Sequence, residues 1–386
     1  MEKDLFNSAT IEEMLKTPRV RWMRDPPDVI PLWIADTDFG VPPEIKQALH
    51  DSVDKENLFY NFADRSAEEA MAEKIKRVNK VDSTPEDIII TPGVITGMWM
   101  ALRHATGPGD EVIVTNPMYD PFEHLTKNIF NVKPVHWNLD MEDGYGFNAD
   151  DLNELITPKT RLIFVCNPHN PCGRVMTKEE LKGIGDIAVD NQIKIMVDEL
   201  WEDVVFDDRK HITLASLSPE IEELTMTEFG FSKAYGVAGL QIGYLCVTNK
   251  EVKEDIAKKS WHVFHGATNL SKAAAPVMLD ETLDWWRKGQ MEHLHKIRRL
   301  CEDRFDDLPG VTCPKLEGTY LMYPKFDYDM TTAELAQYVL DEAKVRLTAG
   351  TNYGSKGEGH LRMGIATSEA IIKEALDRIT EALSKL

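Results

Sequence analysis

The stretch NPHNPCGR, residues 167–174, directly follows the apolar run RLIFV at residues 161–165. The apolar run predicts a short buried strand, since it is brief and bounded by turn residues. Two Asn-Pro pairs and a glycine neither continue a strand nor begin a helix easily. The two amides therefore lie at the end of a strand, where they could bind a polar ligand. A purely structural loop is the alternative.

The same order of elements continues outward from this stretch. Short apolar runs at residues 87–90, 111–114 and 193–197 predict strands, and residues 94–104 and 177–190 predict helices. The second helix begins with a capping-box pattern, Thr177 with Glu180. Strands that alternate with helices predict an α/β fold with a mostly parallel sheet and helices on both of its faces. Ligands of such sheets lie at the carboxyl ends of the strands.

Residues with suitable chemistry follow several of these strands. Gly93 permits a sharp turn before the helix that begins at Val94, whose free N–H groups suit a phosphate. Tyr119 follows the strand at 111–114 and could stack on a planar ring. Asp198 ends the strand at 193–197, where a buried carboxylate needs a cation. The alternative roles are turn formation for Gly93, packing for Tyr119 and a helix N-cap for Asp198.

Two basic residues lie in apolar surroundings. Lys233 is in FGFSKAYGVAGLQIGY, residues 229–244, where it could lose its proton and act as a nucleophile. Arg362 is in GHLRMGIA, residues 359–366, and a buried arginine suits a carboxylate ligand. Structural ion pairs are the alternative for both. Arg19, Arg21 and Arg24 could reach a pocket, but we expect surface roles for them.

Composition limits the class of protein. The 386 residues carry a net charge of −21, which argues against nucleic acid as a partner. We find no membrane-length apolar run and no signal-peptide pattern at the charged N-terminus, so we expect a cytoplasmic protein. The five cysteines lack C-x-x-C spacing, and no residues have metal-ligand spacing.

We expect an N-terminal segment at 1–44 that packs with the small domain, a large domain at 45–283, and a smaller α+β domain at 284–386. The last contains a long helix, a strand pair in LEGTYLMYPKFD, and helices at 332–344 and 368–386.

Together the motifs resemble the fold-type I pyridoxal-phosphate enzymes of the class I/II aminotransferase group, over almost the whole chain. NPHNPCGR resembles the family signature Asn-Pro-x-Asn-Pro-Thr-Gly, with Cys172 in place of Thr. VDELWED resembles the Asp-Glu-x-Tyr segment of the family, and FSKAYGVAGLQIGY resembles its Ser-Lys segment. GTNYG and GHLRMGIA resemble its carboxylate-arginine region. The resemblance implies a seven-stranded sheet, pyridoxal 5′-phosphate as cofactor, and a homodimer.

The resemblance also implies roles for individual residues. Lys233 would hold the cofactor as an aldimine and move the substrate Cα proton. Arg362, Asn170 and Ala35 would bind substrate. The implied cofactor-binding residues are Gly93, Val94 and Ile95 for the phosphate, Tyr119 for the ring face, Asn170 for the 3-oxygen, Asp198 for the ring nitrogen, and Ser232.

Several positions depart from the family pattern. Trp201 stands where the family usually has a tyrosine that contacts the 3-oxygen, and Gln241 where most members have a phosphate-binding arginine. The resemblance still implies that both residues contact the cofactor. Gly230 replaces a frequent hydroxyl donor, so Thr268, or Tyr60 from a neighbouring subunit, would contribute more to phosphate binding.

Three functions remain open. The first is an aminotransferase that moves an amino group from an L-amino acid to a 2-oxo acid. The second is a carbon–sulfur β-lyase of the cystathionine or cysteine-conjugate type, which Gln241 and PLWIADTDF, residues 31–39, favour. The third is a non-catalytic regulatory protein that binds the cofactor, against which the intact Lys233, Asp198 and Arg362 argue.

Overall fold

The computed structural model describes residues 4–386, in which strands and helices alternate through the first two thirds of the chain. The helices are α1 (Ile11–Met14), α2 (Val20–Met23), α3 (Pro43–Asp54), α4 (Ser66–Lys74), α5 (Val94–Ala105), α6 (Asp120–His124), α7 (Ala149–Glu154), α8 (Lys178–Asn191), α9 (Pro219–Leu224), α10 (Ser232–Tyr235), α11 (Lys250–Ser260), α12 (Asn269–Leu279), α13 (Asp284–Asp306), α14 (Thr332–Ala343) and α15 (Glu369–Leu383). The strands are β1 (Ile30–Pro31), β2 (Ile88–Thr91), β3 (Glu111–Asn116), β4 (Lys133–Asn138), β5 (Thr160–Cys166), β6 (Lys194–Asp198), β7 (Thr225–Gly230), β8 (Gly243–Cys246), β9 (Val311–Thr312), β10 (Leu321–Met322), β11 (Lys325–Phe326), β12 (Val345–Arg346), β13 (Thr348–Ala349) and β14 (Leu361–Gly364).

A seven-stranded sheet forms the centre of the molecule, in the order β2-β8-β7-β6-β5-β3-β4. Only β8 runs antiparallel to its neighbours, so the mostly parallel sheet is confirmed. One face packs apolar residues such as Met196 against α5, and the other packs residues such as Val197 against α8. The alternation of side chains along β6 explains how both faces are covered.

The predicted elements of the sheet agree with the structure to within one or two residues. The helix predicted at 177–190 is α8, and Thr177 and Glu180 form the expected reciprocal cap. Strands β4, β7 and β8 were not predicted. Strand β4 contains Pro134 and lies at the sheet edge, while β7 contains Glu228, which masks its apolar character.

The two ends of the chain meet in smaller sheets. Strand β1 pairs in parallel with β12, and β10, β14 and β13 form an antiparallel sheet. The expected strand pair within LEGTYLMYPKFD is wrong, because β10 pairs with β14 while β11 pairs with β9. A proline between the two strands favours this separation. The domain boundaries stay a prediction. Among the described residues, no helix has the length and apolar character that crossing a membrane requires.

Candidate active site

A cavity of about 690 Å³ opens where β2, β5, β6 and β7 end. It brings together nearly all of the predicted site residues. Those that line it are Ala35, Gly93, Val94, Ile95, Tyr119, Asn170, Asp198, Trp201, Ser232, Lys233, Gln241 and Arg362.

Lys233 lies in the short helix α10, just after β7. Its Nζ donates a hydrogen bond of 2.6 Å to the carbonyl of Ala35 and lies 5.5 Å from the centre of the Trp201 ring. Burial lowers the pKa of Lys233 to about 8, although the nearby Asp36 charge opposes this shift. The amine is therefore partly neutral near pH 7 and can act as a nucleophile or a base.

Asp198 is the last residue of β6 and is 3% exposed. Its Oδ1 accepts a hydrogen bond of 3.0 Å from the backbone N–H of Leu200, the single side-chain hydrogen bond that it forms among the described residues. Burial raises the pKa of Asp198 to about 6, and the Lys233 charge offsets part of this rise. A buried carboxylate in this state would gain from a cationic ligand in the cavity.

Arg362 lies in β14 and is 6% exposed. Its Nη1 donates to Asn170 Oδ1 at 3.1 Å, and its Nη2 donates to the carbonyl of Trp33 at 3.0 Å. Its Nε is buried without a partner among the described residues. The guanidinium also lies 4.7 Å from the centre of the Tyr353 ring. Within residues 4–386 this guanidinium contacts neutral groups alone, so it can take a carboxylate ligand.

The N-terminus of α5 forms another part of the cavity. Gly93 precedes the helix with a φ of +98°, a conformation that favours glycine. The backbone N–H groups of Val94 and Ile95 begin the twelve-residue helix and suit an anion. Gln241 lies across from Gly93, and its Nε2 donates to the carbonyl of Ala238 at 3.0 Å. Gln241 therefore supplies a neutral amide where a cation would bind phosphate more strongly.

The remaining predicted residues take different positions. Trp201 is buried with its ring edge-on to Tyr320, at 4.6 Å between centres. Tyr119 lines the cavity, and burial with the Asp198 charge raises its pKa to about 12. Tyr60 and Thr268 do not line the Lys233 cavity of their own chain. They line a separate open cavity of about 560 Å³.

The segment PLWIADTDF forms a wall of the site, of which only Ala35 was predicted. The carbonyls of Trp33 and Ala35 accept from Arg362 and Lys233, so this segment contacts both key cations. The expected surface roles of Arg19 and Arg21 are wrong. Arg19 lines the cavity, and Arg21 is fully buried with its guanidinium on the carbonyls of Pro31 and Asp36. The alternation of arginines with apolar residues in RVRW was the available signal.

Comparison with known proteins identifies the family. The model for "Aminotransferase class I and II" matches residues 27–379. The chain belongs to this family. It is 30% identical to cystathionine beta-lyase PatB of Bacillus subtilis over 383 residues, covering 97% of this chain and 98% of that protein. It is also 30% identical to aromatic-amino-acid aminotransferase 2 of Thermococcus litoralis over 362 residues, 92% of each chain. Cystalysin of Treponema denticola, solved with pyridoxal 5′-phosphate, superposes with a TM-score of 0.92 at 26% identity and full coverage of both chains.

Members of the aminotransferase class I and II family depend on pyridoxal 5′-phosphate, and the cavity fits this cofactor. Lys233 offers an amine with a lowered pKa, and Asp198 offers a buried carboxylate. The start of α5 after Gly93 offers N–H donors for a phosphate. The chain is thus an enzyme of the pyridoxal-phosphate-dependent class I/II family with the fold of type I.

Proposed function

We propose that the protein is an aminotransferase that moves an amino group from an L-amino acid to a 2-oxo acid. One observation carries the proposal: a single cavity holds an amine of lowered pKa, Lys233, together with a buried guanidinium that has a free donor, Arg362. Amino acids and 2-oxo acids share an α-carboxylate that this guanidinium can bind. The reactive carbon beside that carboxylate would then lie in the same cavity as the lysine amine.

Each residue of the site has its own role in the reaction. Arg362, with Asn170 on its Nη1, binds and orients the α-carboxylate. Lys233 removes the Cα proton, since a pKa of about 8 leaves roughly one amine in ten neutral at pH 7. Bound pyridoxal phosphate supplies the electron sink for the resulting carbanion. Asp198 would face its ring nitrogen, and the N–H groups of Val94 and Ile95 would face its phosphate.

A carbon–sulfur β-lyase is the second candidate. Two observations favour it: the 30% identity to PatB, a cystathionine beta-lyase, and the neutral Gln241 beside Gly93. Both reactions need the same removal of the Cα proton by Lys233. They differ afterwards, because transamination delivers a proton back while elimination releases a thiol from the substrate Cβ. The site residues above serve either outcome.

Absorption spectra of the purified holoenzyme separate the two functions. L-amino acids, with cystathionine among them, are added without any 2-oxo acid. An aminotransferase bleaches the visible band once per active site and regains it when a 2-oxo acid is added. A lyase instead keeps its band and accumulates pyruvate and ammonia from cystathionine. The Lys233→Ala variant is the matched control and should do neither. Repeated turnover to pyruvate with no bleaching by any amino acid would refute the aminotransferase proposal.

We also propose that the active unit is a homodimer. Around the second cavity, large apolar side chains are exposed to solvent in the single chain, with Phe59 at 77%, Tyr60 at 91%, Phe62 at 63% and Trp261 at 53%. An apolar patch of this kind marks an interface. Phe59→Asp should convert a dimer to a monomer in analytical ultracentrifugation. Tyr60→Phe should keep the dimer but weaken cofactor binding, because Tyr60 would supply a hydroxyl to the neighbouring site. A monomeric parent protein would refute both expectations.

A further inference from the structure

Glu228 carries a fully buried carboxyl group that the reaction described above does not use. It lies in β7, ahead of Lys233 in the chain, and its side chain has no contact with solvent. Its Oε1 lies 2.8 Å from Oγ1 of Thr91. Its Oε2 is buried without a hydrogen-bond partner among the described residues. A buried carboxylate with an unpaired oxygen is costly, so the ionised form of Glu228 would need a compensating charge nearby.

The neighbours of Glu228 supply no such charge. The carboxyl group packs against α5, β2 and β8. A Cβ atom at Gly97 of α5 would lie 1.6 Å from its Oε2, and one at Gly243 of β8 would lie 3.0 Å from its Oε1. Both glycines therefore bring bare backbone against the carboxyl group, and Thr91 of β2 contributes a neutral hydroxyl. Within residues 4–386, the charged group that acts on Glu228 is Asp198, which is itself acidic.

Asp198 is the direct neighbour of Glu228 across β6 and β7. The two residues are paired in the parallel register, so their side chains leave the same face of the sheet. Asp198 has the N–H of Leu200 and the charge of Lys233 in its favour, whereas Glu228 has one hydroxyl group. Burial, together with the Asp198 charge, raises the pKa of Glu228 well above its usual value. Asp198 is therefore the member of the pair that ionises.

The protonated form of Glu228 fits the contacts that the structure shows. A hydroxyl group both donates and accepts, so Oγ1 of Thr91 can accept the proton of the acid at the same separation of 2.8 Å. The other oxygen is then a neutral carbonyl. Leaving a neutral carbonyl without a partner costs less than leaving a charged oxygen without one.

The contact with Gly97 places Glu228 beneath the turn of α5 that suits the cofactor phosphate. Gly97 lies in the first turn of this helix, three residues after Val94. Three residues of helix rise about 4.5 Å, so a phosphate on the N–H groups of Val94 and Ile95 would lie on the order of 10 Å from the carboxyl group. At an effective dielectric constant of about 20, repulsion between a carboxylate and a phosphate at this separation corresponds to a factor of roughly 10 or more in affinity.

We propose that Glu228 is held as a neutral acid beneath the first turn of α5, which leaves the positive end of this helix to the cofactor phosphate. Loss of the Glu228 proton at alkaline pH weakens phosphate binding by roughly tenfold or more. Glu228 does not line the cavity, so it is a positioning residue that acts through α5. The inference holds for either candidate reaction, because both use the same cofactor.

Infrared spectroscopy of the cofactor-free protein tests the charge of Glu228. At pH 8 Asp198 is ionised, since its pKa is about 6. A carbonyl band of a protonated carboxyl group should be present in the parent at this pH. The band should be retained in Asp198→Asn and lost in Glu228→Gln. Absence of the band from the parent would overturn the inference, whether or not the variants fold.

Binding of pyridoxine 5′-phosphate tests the effect on the phosphate. This compound has no aldehyde to react with Lys233, and calorimetric titration of the cofactor-free protein at pH 7 and pH 10 gives its affinity. Parent and Glu228→Gln should bind it equally at pH 7, and the parent should lose at least about tenfold more affinity by pH 10. Glu251→Gln, at an exposed residue of α11, is the matched control and should follow the parent. Pyridoxine, which lacks the phosphate, should show no difference between parent and Glu228→Gln.

Three results of the titration would overturn the inference. An equal loss of affinity in parent and Glu228→Gln would show that Glu228 does not control phosphate binding. An equally large difference with pyridoxine would place the effect at the ring, through Asp198. Weaker binding by Glu228→Gln at pH 7 would show that neutrality alone does not describe the role of the acid. If the band and the titrations are as expected but no amino acid bleaches the visible band of the holoenzyme, the aminotransferase proposal fails while this inference stands.

Discussion

Asp198→Asn should stabilise the cofactor-free protein while it inactivates the enzyme. Burial raises the pKa of Asp198 from 3.8 to about 6, so the folded state binds its proton more tightly than the unfolded chain does. For a carboxyl with a raised pKa, the charged form destabilises the fold, and this cost is complete above the folded pKa. About two pKa units at 1.36 kcal/mol each give roughly 3 kcal/mol at pH 8. Asparagine removes the charge and keeps an oxygen for the N–H of Leu200.

The pH dependence identifies the cause of this stabilisation. From the two pKa values, we expect the free energy of unfolding of the variant to exceed that of the parent by about 3 kcal/mol at pH 8 and by about half of that at pH 5. It vanishes below the unfolded pKa, where both side chains are neutral. Urea unfolding of the cofactor-free proteins from pH 5 to pH 8 measures it. Asp329→Asn, at an exposed loop residue, should show no such change. A parent protein as stable as the variant at pH 8, or a difference independent of pH, would refute the reasoning. In the holoenzyme, Asp198→Asn should cost activity and weaken cofactor retention.

Three further predictions concern single residues. The rate at which the cofactor-free protein captures pyridoxal phosphate, followed by absorption, should level off above about pH 8, because the pKa of Lys233 is about 8; a continued rise to pH 10 would indicate an ordinary lysine. Arg362→Lys should weaken propionate binding to the holoenzyme roughly 10- to 100-fold, since an ammonium cannot bind a carboxylate in the bidentate way; titration of the visible band measures this loss, and unchanged affinity would contradict it. Gly97→Ala should destabilise the protein by about 2 kcal/mol or more in urea unfolding, because its Cβ would lie 1.6 Å from Oε2 of the buried Glu228. Adding Glu228→Ala should recover part of that loss, whereas strictly additive losses would place the clash elsewhere.

Several residues of the site that the sequence predicted share one property. Asn170 follows the predicted strand β5 and Asp198 ends the predicted strand β6, and parallel strands bring their carboxyl ends to one edge of the sheet. Gly93 and Val94 follow β2 in the same way. Local sequence therefore places these side chains near one another without any information on contacts between distant segments. The bounds of β5 and β6 could be predicted because they too depend on local sequence.

The wall of the cavity could not be predicted by that route. Residues 33–38 reach the site because β1 pairs with β12, which lies near the other end of the chain. Arg362 reaches it through β14, which pairs with β10 and β13. Pairing between such distant segments leaves no local pattern, so the alternation in RVRW, residues 19–22, is the one local sign that Arg19 and Arg21 are not surface residues. Strand β7 was missed for a different reason. It contains the buried Glu228, and a single sequence gives no sign that a strand buries a carboxyl group.

Local charge, rather than the net charge of the chain, decides what the cavity binds. The chain as a whole carries −21 and would repel a small anion at long range. At physiological ionic strength that repulsion decays within about 8 Å, so it has little effect on a ligand inside the cavity. There the ligand meets the basic side chains of Lys233, Arg362 and Arg19 against the carboxylates of Asp198 and Asp36. Because Asp198 would face a ring nitrogen and Asp36 acts on the lysine, the guanidinium of Arg362 stays available for a carboxylate. An acidic protein can therefore bind the carboxylate of a substrate, provided that its uncompensated cations lie at the reacting site.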